Sequence, residues 1–150
     1  MKSRAFLTLA IGLIIGVFGS VESVEAAPDG SQRLRGLGDR VFLVNVEVVA
    51  DPLEIFGVGT IFPNCYIFNA DGSWVDPGFP APGTWEQDSV GAKTGYSATA
   101  DAGGGLVLLQ NGVVTPANGG GVLQITAHSE AAILGLEFLS VGFEVEVCPL

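Results

Sequence analysis

Asn64-Cys65-Tyr66-Ile67-Phe68-Asn69-Ala70-Asp71-Gly72-Ser73-Trp74-Val75-Asp76 is the stretch whose reading decides the fold. Cys65, Ile67 and Asn69 fall on one face of an extended strand, and Tyr66 and Phe68 fall on the other. Asn69-Ala70-Asp71-Gly72 then reads as a type I turn with a Gly bulge. Asparagine at its first position bonds its own backbone, and Gly72 can take the left-handed conformation. Ser73 to Asp76 is the return strand. Pro77, Pro80 and Pro82 rule out regular strand after it, and Gly83-Thr84-Trp85-Glu86-Gln87 resumes it.

The same tempo holds on both sides of this centre. Val41 to Val49 is rich in β-branched residues, with Phe42, Val44, Val46 and Val48 on one face. Asp51-Pro52 breaks it. Ile55 to Phe62 reads as a further strand with Gly57 and Gly59 on one face, ended by Pro63. Downstream, Ser89-Val90-Gly91-Ala92 is a turn. Thr94, Tyr96, Ala98 and Ala100 alternate with Gly95, Ser97 and Thr99. Ala102 to Gly105 is a flexible turn. Asn111-Gly112 between Leu106–Gln110 and Val113–Thr115 reads as a two-residue hairpin. Gly119 to Gly121 leads into a strand from Val122 to Ala127, and Ser129 to Leu134 is either a short capped helix or a loop. In the last strand, Phe138 to Cys148, Leu139, Val141, Phe143, Val145 and Val147 share one face. Ser140, Gly142, Glu144 and Glu146 share the other, so the apolar set is expected on the core. About eight short strands with no long helix predict a single antiparallel all-β barrel, with a β-sandwich as the alternative.

The N-terminus differs in kind. Met1-Lys2-Ser3-Arg4 is a basic lead, Ala5 to Val21 is uncharged and mostly apolar, and Val24-Glu25-Ala26 supplies small residues at cleavage spacing. This is the pattern of a secretory signal peptide over residues 1–26. Residues 27–40 lack strand or helix period and read as a flexible arm, leaving 41–150 as one all-β domain. Lys2 and Arg4 balance Glu22 and Glu25, so the mature chain keeps the net charge of −10. Such a balance disfavours nucleic acid, whose phosphates would repel it, and an anionic membrane surface. Export, to a periplasm or outside the cell, puts Cys65 and Cys148 in an oxidising compartment, where they are expected to form one disulfide.

Chemistry-bearing residues are sparse. Asp71, Ser73 and Asp76 cluster near one turn. An EF-hand register counted back from Gly72 places Ile67 at the first ligand position and Gly78 where a glutamate belongs. The only histidine, His128, adjoins Ser129 and Glu130, but neighbours on a strand point to opposite faces, so no triad follows. One histidine and two bridged cysteines cannot make a zinc site. No catalytic residue, metal or cofactor is expected. The carboxylates of Asp76, Glu86 and Asp88 remain candidates for a cross-strand acid pair.

The pattern Tyr66-x-Phe68-x-x-Asp71-Gly72-Ser73, followed by Gly83-Thr84-Trp85, resembles bacterial secreted lipocalin-like (calycin-type) domains. The resemblance implies an up-and-down barrel with an apolar interior. Aromatic side chains in such an interior can hold apolar ligands, so Tyr66, Phe68, Trp74, Trp85 and Tyr96 are the candidate binding residues. Three functions follow from these observations. One is a non-enzymatic secreted barrel that binds a small apolar molecule or a surface partner. The second is a structural or interaction protein with a filled core. The third is a barrel isomerase or cyclase using buried carboxylates. Oligomeric state is open.

Overall fold

The computed structural model describes residues 36–88, 93–117 and 121–150. Eight antiparallel strands follow one another around a closed barrel: β1 (Arg40–Ala50), β2 (Ile61–Phe68), β3 (Ser73–Val75), β4 (Gly83–Gln87), β5 (Thr94–Asp101), β6 (Val107–Pro116), β7 (Leu123–Ala131) and β8 (Leu136–Val145). A 3-10 turn, Ala132–Leu134, joins the last two. The β8–β1 ladder, from Val41↔Val145 to Ala50↔Glu137, closes the ring, so the sheet is a barrel and not a sandwich. The expected signal segment, most of the arm, the Ser89–Ala92 turn and residues 118–120 lie outside the described residues. Of the arm, Leu37 is buried in the core, and Arg40 opens β1 and is ion-paired with Glu144 of β8.

Alternation fills the barrel. Phe42, Val44, Val46 and Val48 of β1 point inward, as do Tyr66 and Phe68 of β2 and Thr94, Tyr96, Ala98 and Ala100 of β5. The central hairpin forms as its sequence dictates. Gly72 has φ 85°, its N–H donates to Asn69 O at 3.1 Å, and Asn69 N–H donates to Ser73 O at 2.9 Å. Phe68 sits at the centre of an aromatic cluster, edge-on to Tyr96 at 4.9 Å, Trp85 at 5.6 Å and Phe42 at 5.9 Å between ring centroids. This cluster packs the end of the barrel at which β1 begins.

Three sequence expectations change in three dimensions. The segment read as a strand from Ile55 is a loop up to Thr60, and β2 begins at Ile61 and runs through Pro63. Val48 N–H donates to Thr60 O at 2.9 Å, which fixes the ladder phase and turns the Pro63 nitrogen away from β1. On that other flank β3 pairs only with Ile67 and Phe68, so the proline removes no ladder bond. Second, Asn111-Gly112 is no hairpin, because β6 passes straight through it. Gly112 lies opposite Tyr96, and a Cβ there would come within 2.4–2.6 Å of the phenol ring. The glycine makes room for Tyr96 and does not turn the chain. Third, β8 presents the reverse face. Leu139 and Val141 are 44% and 42% exposed, while Ser140 and Gly142 point inward and are buried. A Cβ at Gly142 would meet Leu43 O at 2.0 Å, and Ser140 shares a hydrogen bond with the Tyr66 hydroxyl, so this wall of the interior admits only small side chains.

Beyond β8 the tail reaches across β1 to β2, where Cys148 bonds Cys65 with a Cα separation of 6.0 Å. Cys65 faces outward from β2 yet is fully buried. The bridge spans 83 residues of sequence and so removes a large loop-closure entropy from the unfolded chain. Replacing both cysteines with serine is expected to lower the unfolding free energy by about 2–5 kcal/mol in a denaturant titration. Amide exchange should rise first at the end of β8. Gly112→Ala is expected to cost about 1–3 kcal/mol by overpacking, with the loss shrinking in a Tyr96→Leu background.

Candidate functional site

The strand directions put the β1–β2, β3–β4, β5–β6 and β7–β8 connections together at the end opposite the aromatic cluster. That end is hollow. A cavity of about 420 Å³ opens there, within the range of small-molecule sites. Its walls are Val46, Phe62, Leu108, Ala131, Leu136 and Phe138 from the strands. Ile55, Phe56, Phe79, Pro80, Leu106 and Leu134 from the four connections surround its mouth. Phe56 stacks on Phe62 at 6.1 Å, and Phe138 meets Phe56 and Phe62 edge-on at 6.1 and 6.5 Å.

Asp51 holds the β1–β2 connection in place. Its carboxylate accepts from Ile55 N–H at 3.0 Å and from Phe56 and Gly57 N–H at 2.7 Å each. Burial acts to raise its pKa, but these backbone donors outweigh that and hold the carboxyl below the usual value. Folding thus gains from the charged form above the ordinary aspartate range and loses that gain as acid protonates it. Through this carboxylate, one residue at the end of β1 positions both Ile55 and Phe56.

The floor is polar. Asn64 on β2 and Asp76, just beyond β3, face each other, and Asn64 Nδ2 donates to Asp76 Oδ1 at 2.6 Å. Gly78 N–H donates to the same oxygen at 2.8 Å, and Asn64 Oδ1 accepts from Cys65 N–H at 2.8 Å. These side-chain bonds stand where the β2–β3 ladder has ended. Beside them the Tyr66 hydroxyl lies 2.6 Å from Ser140 Oγ. Tyr96 Oη donates to Gln110 Oε1 at 2.7 Å, and Gln110 Nε2 donates to Ser129 Oγ at 2.8 Å. Asn64, Tyr66, Asp76 and Ser129 line the cavity. Burial raises the Asp76 pKa, partly offset by the Asn64 and Gly78 donors. Burial, with the Asp76 charge adding to it, pushes Tyr66 up to about 12, so its phenol is neutral.

Of the five aromatics expected to bind a ligand, Tyr66 lines the cavity. Phe68, Trp74 and Tyr96 are fully buried in the packed part of the barrel. Tyr96 touches the floor indirectly, through Gln110 and Ser129. Trp85 is half-buried over Phe68, and its indole N–H donates to Asn69 O at 3.0 Å, tying β4 to the hairpin turn. The Trp74 indole N–H is buried without an acceptor among the described residues. Asp76, Glu86 and Asp88 are not brought together: Asp76 lies at the cavity, while Glu86 and Asp88 are exposed. His128 stands on the outer face of β7, 3.3 Å from Glu137, with Ser129 turned inward. Among the described residues no group of three or more His, Cys, Asp or Glu could hold a metal ion.

Asn64, Ser129 and the mouth phenylalanines were not found by sequence reasoning. One signal was available for the floor. A hairpin pairing Phe68 with Trp74 and Ile67 with Val75 puts Tyr66 opposite Asp76 and Asn64 opposite Gly78, all on the inward face.

The raised Asp76 pKa sets a testable sign. A carboxyl whose folded pKa lies above its unfolded value of 3.8 favours folding only while protonated in both states, and destabilises as pH rises through the folded pKa. Asp76→Asn keeps an acceptor for Asn64 and Gly78. It is therefore expected to raise the melting temperature at pH 7, with the difference closing as pH falls toward 4, measured by calorimetry across that range. No family model, curated protein or solved structure matches this chain.

Proposed function

We propose that this protein is an exported, lipocalin-like barrel that binds one small, mostly apolar molecule end-on in the cavity. The observation that carries the reading is the asymmetry of the interior. One end is packed by Phe42, Phe68, Tyr96 and their neighbours, whereas the other is walled by apolar side chains around empty space. A protein whose only task was to present a surface would gain stability by filling that end, at about 25 cal/mol per Å² of apolar surface buried. Export rests on the N-terminal pattern, with the Cys65–Cys148 bridge supporting it.

A specific observation also favours a second reading, an isomerase or cyclase. Asp76 is a carboxyl of raised pKa facing the cavity beside Tyr66, the arrangement a general acid or base needs. The two readings part on what leaves the barrel: a binder returns its ligand unchanged.

The test is fluorescence titration with N-phenyl-1-naphthylamine, an apolar dye that brightens out of water. Saturable enhancement at one dye per chain is expected. Leu108→Trp and Ala131→Phe, which place bulk in the cavity, should abolish it without lowering the melting temperature. Absence of saturable binding by the parent protein, or unchanged binding by both folded variants, refutes the proposal.

A further inference from the structure

We infer that the molecule held in the cavity carries a hydrogen-bond donor at its polar end, as an alcohol or a protonated amine, and that Asp76 Oδ2 receives it, to the exclusion of carboxylate-ended molecules. The inference rests on the cavity reading and narrows its ligand class. Asp76 Oδ1 is already used twice, by Asn64 Nδ2 and by Gly78 N–H. Oδ2 accepts nothing from the described residues. The buried side-chain nitrogen and oxygen atoms that lack both partner and solvent are Trp74 Nε1 and Thr94 Oγ1, so Oδ2 is open to the cavity.

The other floor groups are committed or neutral. Tyr66 is paired with Ser140, Ser129 accepts from Gln110, and the Asn64 amide is engaged on both its oxygen and its nitrogen. Among the described residues, no Lys, Arg or His lines the cavity. Arg40 is paired with Glu144 at the packed end, and Lys93 precedes β5 at that same end. The one floor group that can carry charge near neutral pH is therefore Asp76, and its open Oδ2 is an acceptor with negative character. An alcohol satisfies it with its O–H, and an ammonium satisfies it and balances the charge. A carboxylate would set two like charges together in an apolar site without a cation between them. The alkyl or ring portion of the ligand then lies along Phe62, Leu108 and Phe138 toward the mouth.

The experiment is displacement of bound N-phenyl-1-naphthylamine at pH 7.5 by 1-decanol, decylamine and decanoate, which share a chain and differ at one end. Decanol and decylamine are expected to displace the dye at concentrations at least about tenfold below that of decanoate. In Asp76→Asn, whose new amide offers a donor to the cavity, the gap should narrow to less than about threefold. In the parent protein alone, the carboxyl ¹³C resonance of Asp76 should shift on adding decylamine and stay in place on adding decane. Decanoate displacing as well as the other two, a gap unchanged in folded Asp76→Asn, or a stationary Asp76 resonance would overturn the inference while leaving the cavity reading intact. Failure of the dye to bind would remove both.

Discussion

A closed barrel of eight strands has an interior just wide enough for side chains from every second residue. The volumes of those residues decide how far it is filled, from one rim to the other. Here they are distributed unevenly along the axis. Phe42, Phe68, Tyr96 and Leu37 occupy one end, and Tyr66 and Trp74 the middle. Toward the other end, Val46, Ala131, Ser129 and Asn64 are too small to meet across the lumen. The hollow follows from side-chain volume and requires no departure of the backbone from the regular barrel.

Fitting large rings into so narrow a tube demands small partners opposite them. Gly112 accepts the Tyr96 ring, and Gly142 and Ser140 leave the β8 wall flat beside β1 and Tyr66. The interior is thus a mosaic of bulky and small positions set by neighbours around the ring. On the outside this leaves Leu139 and Val141 in partial contact with water. The barrel is least continuous at β3, which pairs with β2 only at Ile67 and Phe68 and with β4 only at Ser73 and Thr84, Trp74 and Gly83. Side-chain bonds from Asn64 to Asp76 and from Trp85 to Asn69 bridge what the ladder omits. The disulfide pins the strands on the other side of β2, drawing the tail of β8 over β1.

The same discontinuity produces the chemistry of the floor. Because β3 ends early, the chain turns at Asp76 and leaves a carboxyl inside, with 7% of its surface exposed. Two donors stabilise one of its oxygens, and among the described residues none reaches the second. Burial without a cation raises its pKa and also raises that of Tyr66. At the mouth the balance is reversed. Asp51 is surrounded by backbone N–H groups, stays charged, and fixes the connection that carries Phe56. Two aspartates at one end of the barrel therefore have pKa values displaced in opposite directions, by desolvation in one case and by donors in the other.

The sequence by itself determined what depends on near neighbours. Asn69 to Gly72 made the turn, the prolines from Pro77 to Pro82 made the loop, and alternation at Phe42–Val48 and Thr94–Ala100 assigned the inward faces. Short strands spaced by turn residues determined an all-β class and favoured a barrel, which the β8–β1 ladder then decided against a sandwich, and two cysteines in one small domain determined their pairing. Hydrophobic alternation failed at β8, because it assumes that the buried face is the apolar one. Inside a narrow tube the buried face is the one that fits, and there the fit required Ser140 and Gly142. Asn111-Gly112 failed similarly: a glycine needed for turning and a glycine needed for closeness look alike in one dimension, and only Tyr96 across the ladder tells them apart. The cavity itself was a decision of the tertiary structure. Whether eight inward rows meet at the centre depends on the summed volume of residues distant in sequence, and that sum is taken only when β8 closes onto β1.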